Sequence, residues 1–458
     1  MNALISLAVL GIALIYTELS KEKKKLYQWV ALVGIAITAA LTLADWGSPT
    51  LYFNKLCTIT NYGIAFNITM LLSMLMIVGI SRYYYNDVKE HVSEIMGLMV
   101  FSIFGGYLIT SYSNLIMLYL GIETLSIPLY VLAGSKKLSF KSNEASFKYF
   151  VMGGVASAIL LLGITLTYGA TGTFSIDAIS PFIASAQHIP SIFVVGMMLI
   201  LVGLLFKAAA MPFHFWAPDV YDGSPTLVTA FMATVVKIAV YASFYLLFST
   251  AFVALTSVWA PVVWVAAALT LIGSNVVAIN QKSAKRLMAY ASISSSGFLL
   301  LGILACNSSS APAILFYLVS YVLAAIPAFA AIIAVRKCSG NDSFDAFNGL
   351  VKRNKTLAIT LAIALISLAG IPFTAGFFGK YYLFLAAIRG GYVWITIIAV
   401  AAAILSIYYF FRLLNRVFTT SGDEAPIELS LGMKVVLIAS SAATILLGLL
   451  PDLVATLL

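Results

Sequence analysis

Apolar runs long enough to cross a bilayer follow one another along almost the whole chain, near residues 2–19, 26–45, 60–81, 92–110, 112–134, 144–169, 190–221, 225–249, 256–280, 285–305, 311–335, 356–388, 392–417 and 432–456. A stretch of ~18 or more residues with few charges reads as a transmembrane helix. The chain is therefore expected to be an all-α integral membrane protein with about fourteen transmembrane helices. Composition agrees: 9% of the 458 residues are charged and 62% are hydrophobic, whereas soluble domains carry about 25% charged residues. The first run has no small-residue cleavage site behind a basic start and reads as a retained span.

Two of the runs, 190–221 and 356–388, are too long for one straight crossing, because at ~1.5 Å per residue each would reach about 45–50 Å against a ~30 Å hydrocarbon core. Each contains a proline beside a phenylalanine, AAMPFHF around Pro212 and AGIPFTAGF around Pro372. Proline removes a helical hydrogen bond and clashes with the preceding turn, so both runs are expected to be discontinuous helices. Freed backbone at membrane depth must line a cavity or be buried in protein. Paired broken helices also point to an internal repeat of transporter type. The repeats are placed at 92–249 and 256–417, behind a three-helix segment at 1–91 and ahead of a C-terminal helix within 418–458.

The net charge of +9 does not indicate nucleic acid, because the basic residues cluster in short loops and at span ends. Lys21, Lys23, Lys24, Lys25, Arg82, Lys89, Lys136, Lys137, Lys141, Lys282, Lys285, Arg286, Arg336, Lys337, Lys352, Arg353, Lys355, Arg412 and Arg416 fall on one side, and the opposite loops hold Lys55 and Arg389. The positive-inside rule then puts both termini on the non-cytoplasmic side. Three cysteines, Cys57, Cys306 and Cys338, have no paired spacing, which argues against a disulfide framework, a CxxC metal site or an iron–sulfur cluster. No cofactor is expected on this chain.

Against this apolar background a few ionisable residues stand out. Glu123 lies mid-span in NLIMLYLGIETLSIPLYVL, and Lys207, Lys237 and Lys380 lie deep in other runs. A charged residue at the bilayer centre costs ~2.5–3.5 kcal/mol even on lenient scales, so four of them are candidates for function. Their bland readings are an interhelical ion pair for Glu123, which a Glu123–Lys207 contact would satisfy, and snorkelling for the lysines, least suited to Lys237 and best suited to Lys380. A desolvated lysine exchanges its proton more readily than one in water, and its charge state answers to a nearby carboxylate. That is the chemistry of a proton relay. His214, just past Pro212, either passes protons between Lys207 and the Lys237 region or caps a broken helix. Asp219 and Asp222 are expected to cap the next helix or bind water, and Lys148 to snorkel. Tyr290, Ser292, Ser294, Ser295 and Ser296 in the tenth run either order water or pack helices.

The segments FKAAAMPFHFWAPDVYDGSPTLVTAFMATVVK, GIETLSIPLYVLAG, EASFKYFVMGGVASAILLLGITLTYGATG, AKRLMAYASISSSGFLLLG and GIPFTAGFFGKYYLF resemble the antiporter-like subunit family of bacterial proton-pumping NADH-quinone oxidoreductase (respiratory complex I), and subunit N within it. The likeness runs in order through most of residues 92–417. It implies fourteen helices with two inverted five-helix repeats and a mid-membrane chain of ionisable groups. On this likeness Glu123 corresponds to the fifth-helix acid, Lys207 to its seventh-helix partner, Lys237 to the central lysine of the eighth helix and Lys380 to the twelfth-helix lysine on the exit side. Lysine at this last position, where some sister subunits carry Glu, favours subunit N. The family often has His in the tenth helix, and Ser295 stands at that position. The resemblance further implies a bacterial inner-membrane location, other membrane subunits of the complex as partners, protons as cargo, and NADH and quinone handled elsewhere. The wider superfamily keeps subunits of multisubunit sodium/proton antiporters and membrane-bound hydrogenases open as alternatives.

Overall fold

A computed structural model describes residues 1–19, 23–85, 91–185, 188–419 and 425–457. Lys21 and Lys89 lie outside the described residues, as do the side chains of Lys23, Lys24 and Lys25, so these basic loop positions carry no structural statement. The expected all-helical architecture is found. Its crossings are α1 (Asn2–Thr17), α2 (Lys23–Ala44), α3 (Asn61–Tyr85), α4 (Val92–Thr110), α5 (Leu115–Ala133), α6 (Phe140–Thr171), α7 in two halves (α7a, Ser191–Lys207; α7b, Trp216–Gly223), α8 (Thr226–Thr250), α9 (Thr256–Ile279), α10 (Ala284–Ala305), α11 (Ser310–Ser339), α12 in two halves (α12a, Lys355–Ala369; α12b, Ala375–Arg389), α13 (Val393–Phe418) and α14 (Leu431–Leu449). Both long apolar runs are broken at their prolines.

Small departures from the all-helical pattern sit outside the crossings. An antiparallel hairpin, β1 (Thr50–Tyr52) and β2 (Cys57–Ile59), joins α2 to α3 in the register Thr50↔Ile59. A short helix, Ile176–Ser185, occupies the connection after α6. Helix starts are set by ordinary caps: the side chains of Asn114, Ser139, Ser283, Asn354 and Ser430 accept from the first-turn N–H groups of α5, α6, α10, α12a and α14, satisfying donors that have no helical partner.

The hydrophobic stretches of α8 and α10 are wholly buried, whereas those of α2, α6 and α13 are mostly open to the outside. Residues such as Trp29, Phe150, Ile404 and Trp394 form that outer apolar surface, as expected where the surroundings are lipid or other membrane protein. Close helix approach depends on missing side chains at one seam in particular. A Cβ on Gly163 of α6 would lie 2.7 Å from the Gly196 carbonyl of α7a, and one on Gly196 would lie 2.8 Å from that of Gly163. Small residues are what let membrane helices pack this tightly, and here they fix α7a, and Lys207 at its end, against α6.

Two surface expectations are corrected. Asp219 does not cap the following helix: it receives a hydrogen bond of 2.8 Å from Lys148, which also pairs with Glu144 at 2.8 Å. Lys148 is therefore ion-paired and does not simply extend toward the interface. The N-cap of α8 is Pro225, and the Asp222 peptide carbonyl accepts from Lys285, which thereby ties the end of α7b to the start of α10.

Candidate functional site

Each break frees backbone groups, and how they are satisfied decides where the lysines go. Between α7a and α7b the chain turns through Ala209 with φ 54°. Met211 N–H donates to Thr270 Oγ1 of α9 (2.8 Å), the Ala208 carbonyl accepts from Ser296 Oγ of α10 (2.6 Å), and the Phe206 carbonyl accepts from the Trp216 indole (3.1 Å). This irregular backbone is thus buried in protein, as membrane depth demands. Between α12a and α12b the chain turns through Gly370 with φ +83°. The Leu368 and Ala369 carbonyls left over at the end of α12a accept from Lys380 Nζ at 3.0 and 2.8 Å. A cation at a helix C-terminus is favoured by both the unpaired carbonyls and the helix dipole.

The three lysines share one environment. Lys207 Nζ donates to Ser126 Oγ (2.8 Å) and Tyr130 OH (3.4 Å) on α5. Lys237 is buried and donates to the Ser292 carbonyl, to Ser292 Oγ (2.8 Å) and to Ser295 Oγ (2.7 Å) on α10. Lys380 is likewise buried and adds a 3.4 Å bond to Ser406 Oγ of α13. Each ammonium also stands within ~6 Å of an aromatic ring, the range of a cation–π contact: Tyr130 at 5.8 Å, Tyr321 at 5.3 Å and Phe298 at 4.9 Å respectively. Among the described residues, no carboxylate lies within 4.0 Å of any of the three.

Glu123 is partly buried on α5, one turn before Ser126, and its Oε1 is buried without a hydrogen-bond partner. The Glu123–Lys207 ion pair left open from the sequence is not formed: Ser126 and Tyr130 take the ammonium, and Glu123 acts on it through space. Lys207 and Lys237 both line one small internal cavity with Tyr149, Trp216, Tyr221 and Met232. His214, whose Nδ1 is buried without a partner, is not among the residues lining that cavity. Lys237 also follows directly on a π-helical turn, Met232–Val236, the kind of local widening that recurs at functional sites.

Several neighbours carry no charge and were not singled out from the sequence: Ser126, Tyr130, Thr270, Asn275, Tyr321, Ser406 and Tyr409. Asn275 and Tyr409 join α9 to α13 by a 3.1 Å bond. Ser292 and Ser295 hold Lys237, so the serines of the tenth run were the signal in the sequence that pointed toward this cluster.

Chemically, the surroundings suit a lysine that changes its protonation state. A hydroxyl donates or accepts as required, whereas a carboxylate beside the amine would favour the charged form. At Lys380 the ammonium gives an N–H to each of the two carbonyls and a third to Ser406 Oγ, whose own hydroxyl donates to the Ala403 carbonyl at 2.6 Å.

A helical membrane bundle with two interrupted crossings and amines held at depth by neutral partners belongs to the class of antiporter-like membrane proteins. The family described as NADH:quinone oxidoreductase/Mrp antiporter, TM, matches residues 113–406. NADH-quinone oxidoreductase subunit N of Flavobacterium johnsoniae is 38% identical over the full length of both chains, that of Flavobacterium psychrophilum 36% over the full length of both, and that of Cytophaga hutchinsonii 37% over 99% of this chain and 98% of the relative. A chain in the structure of respiratory complex I from Thermus thermophilus superposes with a TM-score of 0.85 at 32% identity, covering 99% of this chain and 98% of that one. A chain of the Mrp complex from Dietzia shares the fold, with a TM-score of 0.87 at 20% identity, covering 100% of this chain and 96% of that one. The chain belongs to the NADH:quinone oxidoreductase/Mrp antiporter transmembrane family, and within it to the subunit N family of NADH-quinone oxidoreductases.

Proposed function

We propose that this chain is a proton-translocating membrane-arm subunit of NADH-quinone oxidoreductase, the redox chemistry being carried by other subunits. Its partners are those other membrane subunits, and its seat is the bacterial inner membrane with both termini on the non-cytoplasmic side, a reading supported by the basic residues gathered in the loops of one face. Residues 92–249 and 256–417 act as the two repeats, each contributing one broken helix. Glu123, Lys207, Lys237 and Lys380 form the relay, with His214 available at the α7 break. A pulse from the redox subunits changes the field of Glu123 on Lys207, the proton affinity of Lys237 follows across the cavity between them, and the proton passes toward Lys380 and leaves.

The observation that carries this reading is that Lys207, Lys237 and Lys380, with no carboxylate within 4.0 Å among the described residues, are each held by at least one side-chain hydroxyl. A charge kept only to lock helices is expected beside an opposite charge or, like Lys285, on peptide carbonyls alone. These amines have only hydroxyls, carbonyls and rings, partners that tolerate both protonation states. The decisive test is Lys237→Met in the assembled complex in inverted membrane vesicles. Proton uptake driven by NADH oxidation is expected to fall at least tenfold, while NADH oxidation by an artificial acceptor stays at the parental level. Pumping at the parental ratio of protons to NADH would remove the relay.

A further inference from the structure

We propose that Tyr409 is the hydroxyl through which the α10 serines pass protons to Lys380, with Asn275 as the positioning residue that holds it in place. The inference rests on the relay reading above and supplies the stretch between Lys237 and Lys380 that the lysines alone leave open. Lys237 ends on Ser292 and Ser295 of α10, and Lys380 ends on Ser406 of α13. Tyr409 lies three residues after Ser406, so their side chains share one helix face. The Tyr409 hydroxyl donates to Asn275 Oδ1 at 3.1 Å, and Asn275 Nδ2 donates to Ser294 Oγ at 2.8 Å and to the Leu271 carbonyl at 2.6 Å. Ser294 precedes Ser295, which holds Lys237, by one residue on α10. Through Asn275 the phenol is thus tied to the serine run that holds Lys237, and along α13 it neighbours the serine that binds Lys380.

Tyr321 completes the connection. Its hydroxyl is buried without a hydrogen-bond partner, and its ring lies 5.3 Å from Lys237 Nζ. Residues 275, 294, 321, 406 and 409 are all at least nine-tenths buried. Burying such groups is unfavourable unless they are hydrogen-bonded, and the bonds of Asn275 to Tyr409 and Ser294 meet that cost while fixing how α9, α10 and α13 face one another. The chemical roles also divide. A phenol or serine hydroxyl both donates and accepts, so it can take a proton on one side and release one on the other, whereas a neutral amide fixes geometry with dedicated donors and an acceptor.

The test uses the whole complex in inverted membrane vesicles, with NADH oxidation by an artificial acceptor as the measure of assembly. Tyr409→Phe keeps the ring and removes the hydroxyl. Coupled proton uptake and quinone reduction are expected to fall at least fivefold with assembly intact, and Asn275→Leu to lower them less. If Tyr409→Phe pumps normally while Lys237→Met does not, the relay stands and the Tyr409 bridge is wrong. If both variants pump normally, the relay fails and the bridge with it. A loss of assembly in step with the loss of pumping marks Tyr409 as structural and also overturns the bridge. A second measurement is independent of folding: 3,5-difluorotyrosine at position 409 makes the phenol more acidic at nearly constant size. The pH profile of coupled turnover is then expected to move to lower pH, and an unmoved profile overturns the proposal.

Discussion

The two broken helices hold their lysines in opposite ways. Lys207 is the last residue before its break and reaches away from it, to Ser126 and Tyr130 on the neighbouring α5. Lys380 comes after its break and folds back over it, onto the Leu368 and Ala369 carbonyls. The α7 break is closed by Thr270, Ser296 and Trp216, and the α12 break uses its own lysine as a stopper. A carbonyl accepts and does nothing else, whereas a hydroxyl turns and exchanges roles. Lys207, beside rotatable hydroxyls and within the field of Glu123, is therefore placed to respond. Lys380 is placed to wait.

The largest expected effect separates these two roles. Lys380→Met leaves two buried carbonyls without donors, each costing ~1–3 kcal/mol, so both coupled pumping and the melting temperature of the solubilised complex should drop. Lys207→Met should abolish pumping with little change in melting, since the α7 break keeps its own partners. Equal melting losses in the two variants would erase the distinction.

Next in size is Gly370→Ala. Gly370 holds φ +83°, and a Cβ there would lie 2.9, 3.1 and 3.3 Å from Cδ, Nζ and Cε of Lys380. The left-handed backbone alone costs an alanine ~1–2 kcal/mol, and the added methyl presses on the lysine that caps the helix. Pumping should fall severalfold. Ala209→Gly at the other break (φ 54°) should shift stability by less than ~1 kcal/mol, since the relief of backbone strain and the entropic cost of glycine oppose each other. Thermal melts of both variants, read side by side, test whether glycine at 370 is there for the lysine.

Both breaks were legible in the sequence because excess length and an internal proline leave a mark in one dimension. So were the amines, since a lysine among apolar residues is conspicuous. The partners were not. Ser126, Ser406, Asn275 and Tyr409 are uncharged, and such residues in membrane helices usually pack against neighbours. What makes them matter is which helix faces which, and sequence separations of 81 residues for Lys207–Ser126 and 134 for Tyr409–Asn275 hide that from any local pattern. The open question of a Glu123–Lys207 contact shows the same limit. Charge type suggested attraction, but only packing reveals that a serine and a tyrosine take the ammonium instead.

The smallest effects probe that serine and tyrosine. Ser126→Ala removes one hydrogen bond from Lys207, worth ~1 kcal/mol, and coupled turnover should slow by about fivefold at most. Tyr130→Phe removes the longer 3.4 Å bond and should slow it by less than about twofold, while the ring beneath the ammonium stays. The double variant leaves the amine without either hydroxyl but still facing the charge of Glu123, and a lysine drawn into an ion pair is held in its charged form. Its loss should therefore exceed the product of the two single losses, because sites that share a partner do not behave additively. A double variant no slower than Ser126→Ala alone would mean that the hydroxyls do not keep Lys207 apart from Glu123.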